Sequence, residues 1–159
     1  MPNFKYSVIG LDPDSTAIAS AREVHVSPKH AREVCNAIKK MRLDKAKEYL
    51  EQVIQMKALV PFRRYKKKQA HHRGIRKFYA GRYPVKAARE VLKVLNNVEN
   101  NAEYKGLDLD NLVIIHAAAY GGRKIRKYIP RAFGRATPYF DTLTHIEIAV
   151  AEIESGKGE

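Results

Sequence analysis

The chain has 159 residues and one cysteine, and its 30 Lys and Arg against 17 Asp and Glu give a formal net charge of +13. One cysteine excludes a disulfide framework and any zinc site built from several cysteines. The chain lacks an apolar signal segment and any run of about 18 apolar residues, which predicts a soluble, intracellular protein without membrane insertion. This length is most simply one domain, spanning residues 1–159.

The positive charge is concentrated in two segments. Residues 61–89 contain eleven Lys and Arg and no acid, residues 120–140 contain six and no acid, and the rest of the chain carries a net charge of −4. Ten of the fourteen aromatic residues also fall in these two segments. Cations neutralise phosphates and aromatic rings stack on exposed bases, so the combination indicates a nucleic-acid surface. The alternative is a solubilising charged face, which would normally mix both signs.

The first third of the chain predicts a leader, a strand and two helices. Residues 1–15 are expected to be a mobile leader with a turn at residues 12–14, and residues 16–26 suit a strand. Ser27 is a natural N-cap with Pro28 at the first helical position, and Cys35 falls on the apolar side of this helix as a core residue. Asp44 is expected to cap a second helix that Pro61 ends, and the two helices should pack as a hairpin.

A basic loop and a long helix follow. Residues 61–83, which we call the basic loop, show no apolar period and are predicted to be irregular and ordered mainly by a partner. Pro84 starts the longest helix, and Gly106 stops it. Lys86 and Arg89 oppose the dipole of that helix, whose N-terminus prefers anions, so a bound phosphate would relieve the conflict.

Residues 112–150 predict a β-hairpin whose base is apolar and whose distal half is cationic. The distal part, residues 120–142, is called the hairpin arm. With about 11 extended residues on each side, at 3.3 Å per residue, the arm would be roughly 35 Å long. Gly121-Gly122 lacks the Lys-Ser/Thr of a phosphate-binding loop and is interpreted as a bend or bulge where the arm leaves the sheet. Pro130 and Gly134 suit the reversal at the tip.

The resulting fold class is α+β. The return strand of the hairpin places Ile146, Ile148 and Val150 on one face, which must be covered. Together with the strand at residues 16–26, the hairpin predicts a three-stranded antiparallel sheet packed against three helices, with a long protruding β-hairpin. Residues 154–159 are expected to be a frayed tail.

The sequence offers no catalytic, cofactor-binding or metal site. His71 and His72 are adjacent, so they diverge in regular backbone, and they lie in a cationic loop that would repel a divalent ion. Asp141 and His145 would lie about 13 Å apart along a strand and so would not form a dyad. The histidines are therefore interpreted as surface or RNA-contacting residues. An RNA-modifying enzyme would need an acid or base in the basic segments, and there is none.

The candidate RNA-binding residues are the cations and histidines of the basic loop and hairpin arm together with Lys86. They are Arg63, Arg64, Lys66, Lys67, Lys68, His71, His72, Arg73, Arg76, Lys77, Arg82, Lys86, Arg123, Lys124, Arg126, Lys127, Arg131 and Arg135.

Three stretches carry a resemblance to a known family. They are HVSPKHA at residues 25–31, residues 85–109 of the long helix, and PRAFGRA at residues 130–136 with Thr144-His145-Ile146. The chain resembles the large-subunit ribosomal protein called L-twenty-two in bacteria and archaea and L-seventeen in eukaryotes. The likeness runs from about residue 5 to residue 152, and the insert that begins with VPFRRY at residue 60 is similar to archaeal and eukaryotic members.

The resemblance implies a structural, non-enzymatic protein of the large ribosomal subunit in the cytoplasm, here of archaeal type. Its partners would be large-subunit (23S) rRNA, neighbouring ribosomal proteins and the nascent polypeptide, and it would aid subunit assembly. The tip residues that would line the polypeptide exit tunnel are Tyr128, Ile129, Pro130, Arg131, Ala132, Phe133, Gly134 and Arg135. The alternative is a stand-alone RNA chaperone or another nucleic-acid-binding protein.

Overall fold

The computed structural model describes residues 5–75 and 78–153, and it has an α+β architecture. The elements in chain order are β1 (Thr16–Val24), α1 (Pro28–Ile38), α2 (Leu43–Ile54), β2 (Val60–Pro61), β3 (Gly81–Arg82), α3 (Val85–Tyr104), a 3-10 turn (Leu109–Asn111), β4 (Leu112–Ile125), β5 (Tyr128–Pro130), β6 (Ala136–Pro138) and β7 (Asp141–Glu152). Among the described residues, none of the helices is long and apolar enough to cross a membrane.

The main sheet has three antiparallel strands in the order β1-β7-β4. The return strand of the hairpin therefore lies in the centre, where Ile148 stands opposite Ala19 of β1 and Ala117 of β4. This arrangement confirms the predicted three-stranded sheet, and it pairs both edges of the most apolar strand.

The core lies between one face of the sheet and the three helices. Ile146, Ile148 and Val150 of β7 are fully buried on that face, as their alternation predicts. Their cross-strand neighbours in β1 and β4 include small alanines, which leave room for α3 to pack on β1 and α1 on β4. The apolar stripe of α3, from Ala88 to Ala102, is buried in the same core.

The two short helices begin differently from one another. Ser27 does stand at the N-cap of α1, but its side chain makes no capping hydrogen bond, and its carbonyl accepts from the amide of Ala31 at 3.0 Å. The prediction that Asp44 caps α2 was wrong, because Arg42 is the N-cap and Asp44 lies in the first turn. Arg42 forms an isolated bridge with Val113 of β4, so its extended backbone ends one residue before the helix begins.

The end of α2 also differs from the prediction. The helix ends at Ile54, not at Pro61, because Met56 adopts a left-handed conformation with φ +59°. The amide of Met56 donates to the carbonyl of Val53 at 3.0 Å, and the amide of Lys57 donates to the carbonyl of Gln52 at 2.8 Å. These two hydrogen bonds close the last turn of the helix. Pro61 instead belongs to the short strand β2.

The open face of the sheet carries a buried carboxylate. Glu147 is fully buried on β7 and accepts hydrogen bonds from Tyr120, from Arg22 at 2.8 Å, and from the amide and hydroxyl of Ser7 at 2.9 and 2.6 Å. Ser7 belongs to the segment predicted to be a mobile leader, so part of that leader is hydrogen-bonded to the sheet. The predicted turn that follows is present, with the Asp12 carboxylate accepting from the amide of Asp14 at 3.2 Å.

These contacts make stability dependent on pH. Burial by itself raises the pKa of Glu147, but the hydrogen bonds from Ser7 and Tyr120 and the charge of Arg22 outweigh it and hold that pKa below its ordinary value of 4.5. The stabilisation is therefore complete above pH 4.5 and is lost as the pH falls through the folded-state pKa. We expect Glu147→Gln to lower the free energy of unfolding at pH 7 by about 1–3 kcal/mol.

Urea unfolding at pH 7 and at pH 3 measures this effect. The difference between wild type and Glu147→Gln should shrink at pH 3, and the exposed Glu103→Gln should match wild type at both values. A difference that stays constant between the two pH values would contradict the assignment.

The single cysteine provides a second test of the core. Cys35 is buried on α1, and burial raises the pKa of its thiol to about 12. We expect Cys35→Ser to lower the free energy of unfolding by about 1–2 kcal/mol, because a hydroxyl in this apolar site is poorly paired. The native thiol should also fail to react with a thiol reagent at pH 8 until the protein is unfolded. A fully stable serine variant would contradict the role of Cys35 as a core residue.

Candidate nucleic-acid interface

The hairpin arm is a continuation of the main sheet. Beyond the sheet, β4 and β7 remain paired, with Lys124 opposite Thr142, and the short strands β5 and β6 then pair antiparallel toward the tip. At the tip, the amide of Arg131 donates to the carbonyl of Arg135 at 2.7 Å. The arm is thus held by backbone hydrogen bonds along its length and needs no apolar core of its own.

Gly121 and Gly122 mark the place where the arm leaves the sheet. The pairing of β4 with β7 shifts register between Gly121 and Lys124, as the interpretation of a bulge predicted. A side-chain carbon added at Gly122 would lie 2.7 Å from Nε2 of His145. Only glycine allows the imidazole of His145 to approach the backbone so closely.

The tip reverses through two residues with positive φ. Gly134 has φ +66°, as expected, but Phe133 also has φ +60°, a conformation that bulky side chains rarely adopt. The side chain of Phe133 is 94% exposed. The tip therefore presents an aromatic ring between the cations Arg131 and Arg135.

The predicted RNA-binding cations are at the surface. Every candidate in the described residues is exposed except His72, which is half-buried, while Arg76 and Lys77 lie outside the described residues. Within residues 5–75 and 78–153, Lys127 alone of these candidates forms an ion pair with an acid. The positive charge of the interface is thus left to face solvent.

That one acid, Asp141, joins the arm to the body. Its Oδ2 lies 2.8 Å from Nε2 of His25 and 3.3 Å from Nζ of Lys127, and Nζ of Lys86 lies 3.2 Å from Nδ1 of His25. The hydrogen bond from Lys127 and the neighbouring His25 hold the pKa of Asp141 below its ordinary value, although burial opposes them. His145, the nearest histidine along the strand, instead accepts from the amide of Glu23 at 3.1 Å.

The basic loop is anchored by a buried carboxylate. Glu33 on α1 is fully buried, and its two oxygens accept hydrogen bonds from the amides of Arg63, Arg64 and Tyr65 at 3.1, 3.0 and 3.0 Å. Because the carboxylate binds backbone amides, the side chains of Arg63 and Arg64 remain exposed. The start of the basic loop is therefore fixed by this chain itself.

The base of the basic loop is also more regular than predicted. Strands β2 and β3 pair antiparallel, and the amide of Phe62 donates to the carbonyl of Ala80 at 3.0 Å. Phe62 is fully buried, with its ring 5.3 Å from that of His30, so it cannot stack on a base. Counting Phe62 among the aromatic residues of a nucleic-acid surface was therefore wrong.

The other aromatic rings of the loop lie among cations. The guanidinium of Arg63 is 5.2 Å from the centre of the Phe78 ring, which stacks on Tyr79 at 5.0 Å. The Tyr65 ring lies 5.7 Å from Nζ of Lys29, and the guanidiniums of Arg32 and Arg64 are each 5.9 Å away. Such contacts place cations where they would meet a phosphate backbone beside a stacked base.

A cleft lies where the basic loop, α1, α3 and the foot of the hairpin arm meet. It encloses about 700 Å³, and it brings together the predicted residues His72, Arg82 and Lys86 with His25 and His30. Burial, and then the charge of Arg82, lower the pKa of His30, which favours its neutral imidazole. We call this the loop–arm cleft.

Several residues of the interface were not identified from sequence. They are His25, His30, Glu33 and Asp141. Each takes its position from a partner that is distant in sequence. His25, just after β1, contacts Asp141 at the start of β7, and Glu33 of α1 binds the amide of Arg63 just after β2. The one local signal was the basic start of α3 at Lys86, which predicted a bound phosphate there. It did not predict the other residues that line the cleft.

With this geometry established, sequence comparisons identify the family. The model of the family described as ribosomal protein L22p/L17e matches residues 19–151. The chain belongs to the ribosomal protein L22p/L17e family. Among curated proteins it is 54% identical to the large ribosomal subunit protein uL22 of Archaeoglobus fulgidus over 153 residues, covering 96% of this chain and 98% of that protein.

Two further archaeal relatives agree. The chain is 58% identical over 143 residues to uL22 of Methanopyrus kandleri, covering 89% of this chain and 90% of the relative. It is 50% identical over 154 residues to uL22 of Thermofilum pendens, covering 97% of this chain and 100% of that relative. Membership of the L22p/L17e family confirms the predicted resemblance, its archaeal character, and the prediction of a structural protein without enzymatic activity.

The anchoring of the basic loop in this L22p/L17e chain can be tested at Glu33. Glu33→Gln keeps the side-chain size but places an amide group where one oxygen accepted a backbone N–H, so we expect a loss of about 1–3 kcal/mol in the free energy of unfolding. Hydrogen exchange of the amides of Arg63, Arg64 and Tyr65 should become faster. The exposed Glu51→Gln is the control, and unchanged exchange in Glu33→Gln would contradict the anchoring role.

Proposed function

We propose that this chain is a structural constituent of the large ribosomal subunit that binds large-subunit rRNA through its basic loop and hairpin arm. The observation that carries the proposal is the arm itself. It is a paired, exposed hairpin that bears six Lys and Arg and no acid between residues 120 and 140. An arm of this charge that continues the central sheet is suited to enter a polyanionic partner.

Binding would combine counterion release with positioning by shape. Lys and Arg that neutralise phosphates release condensed counterions, which supplies most of the affinity without reading sequence. Glu33 and the sheet hold the two cationic surfaces in fixed places relative to the body, so RNA helices must fit between them. The body itself, with its net negative charge outside the two segments, would rest against the RNA only where those surfaces direct it.

The tip of the hairpin arm would lie in the wall of the polypeptide exit tunnel. The family resemblance implies this position for residues 126–135, and the exposed ends of β5 and β6 with the ring of Phe133 support it. There the tip would face both rRNA and the nascent polypeptide. Neighbouring ribosomal proteins of the large subunit would complete the set of partners.

The salt dependence of binding to deproteinised large-subunit rRNA tests the proposal. If about eight of the positive charges of the basic loop and hairpin arm meet phosphates, the logarithm of affinity falls with the logarithm of salt concentration with a slope of roughly −6 to −7. Replacing Arg131 and Arg135 together by Ala should leave the melting temperature unchanged, since both side chains are exposed. It should make the slope shallower by about 1.4 to 1.8 if both meet phosphates.

Two results would contradict the proposal. One is a wild-type slope shallower than about −2, because too few phosphates would then be contacted. The other is a protein that stays at the top of a sucrose gradient while large subunits sediment, which would indicate a free RNA chaperone. Replacing Lys45 and Lys57 on the body by Ala serves as the matched control for the loss of two exposed cations.

A further inference from the structure

We propose that the loop–arm cleft binds one unpaired nucleotide of the RNA, turned out of its stack. This inference rests on the proposed function, because it assumes an RNA partner, and it names a site and a ligand within that partner. The cleft lies where the basic loop meets the foot of the hairpin arm, so an RNA strand that touches both segments can pass its mouth. Its volume of about 700 Å³ falls inside the range of roughly 300–1,000 Å³ typical of small-ligand sites.

The walls of the cleft suit a nucleobase. Its floor is apolar, with Val26 and Ala87 almost fully buried beside Pro84. The rings of His72 and Tyr83 stand edge to face at 6.2 Å on one side. Unpaired bases are commonly bound by stacking on the faces of aromatic rings such as those of Tyr and His.

The polar groups of the cleft suit the rest of a nucleotide. Arg82 and Lys86 are exposed cations of the lining, available to a phosphate. His30 is half-buried, and as a neutral imidazole it has one donor and one acceptor for a base edge. The lining therefore separates an apolar, aromatic interior from a cationic part.

The one acid in the lining does not oppose an anion. Asp141 is engaged by Nε2 of His25 and by Nζ of Lys127, so its charge is already balanced where the cleft meets the arm. An acidic peptide is the other anionic occupant to consider. The paired rings and apolar floor favour a flat base over a chain of carboxylates.

Variants of two lining residues test the site. Tyr83→Leu removes a stacking ring but keeps an apolar side chain, and it should weaken binding to deproteinised archaeal large-subunit rRNA by roughly 5- to 150-fold with an unchanged salt slope. Lys86→Gln should instead make the salt slope shallower by about 0.7 to 0.9, which is what the loss of one phosphate contact contributes. Tyr104→Leu, at the exposed far end of α3, is the matched control and should bind like wild type.

Chemical probing of the rRNA locates the ligand. Wild type should protect a single unpaired base that Tyr83→Leu leaves reactive, with both proteins equally folded by circular dichroism. If wild type has a steep salt slope but both cleft variants bind and protect like wild type, the cleft proposal is overturned while the proposed function stands. A shallow salt dependence of wild-type binding would instead contradict the proposed function.

Two other occupants are distinguished by the same variants. AMP that saturates the cleft in an NMR titration, with unchanged rRNA affinity in Tyr83→Leu, would assign the cleft to a free nucleotide and overturn the proposal. Loss of crosslinks from the cleft to a neighbouring ribosomal protein in Tyr83→Leu, again with unchanged rRNA affinity and protection, would assign it to a peptide and also overturn it.

Discussion

Strand β7 is hydrogen-bonded on both sides, and the placement of the interface follows from that pairing. Its alternation sends Ile148 to the helices and Glu147 to the opposite face, so a slip of one residue would move a carboxylate into the apolar core. The register is therefore strongly specified. Because the hairpin arm is the outward continuation of β7 and β4, the direction of the arm is determined by the same core.

The distribution of acids explains how a body with negative net charge can carry a cationic interface. Glu147 is buried and used as an acceptor for Ser7 and Tyr120, and Glu33 is buried and used as an acceptor for backbone amides. Asp141 is engaged by His25 and Lys127. These three carboxylates stabilise the fold or orient its cationic parts, and in the part of the chain that the structure describes only Lys127 of the predicted RNA-binding cations pairs with an acid.

The features that depend on neighbours in sequence could be predicted. The alternation of Ile146, Ile148 and Val150 predicted the central strand, Pro84 and Gly106 bounded α3 to within two residues, and the double glycine predicted the bulge. The errors arose where distant contacts override local signals. Arg42 is held by Val113 and so replaces Asp44 as the cap of α2, and Phe62 is drawn into the core by the pairing of β2 with β3.

The site shows the same division. Exposed cations were identified because runs such as Lys66-Lys67-Lys68 cannot be buried, and the structure leaves them at the surface. The loop–arm cleft was not predicted, because its walls come from four parts of the chain that meet only in the folded protein. His25 and Asp141 are 116 positions apart, yet Nε2 of His25 lies 2.8 Å from Oδ2 of Asp141. No local periodicity carries such information.

The union of arm and sheet also has a mechanical consequence. A force that pulls the tip along the arm acts parallel to β4 and β7, whereas the hydrogen bonds that join β7 to β1 run perpendicular to the strands. The load is therefore a shear shared by the continuous ladder from Thr16 to Ala21, whose pairs are strained together and not one after another as in peeling. The arm is built to withstand tension at its far end while the body stays folded.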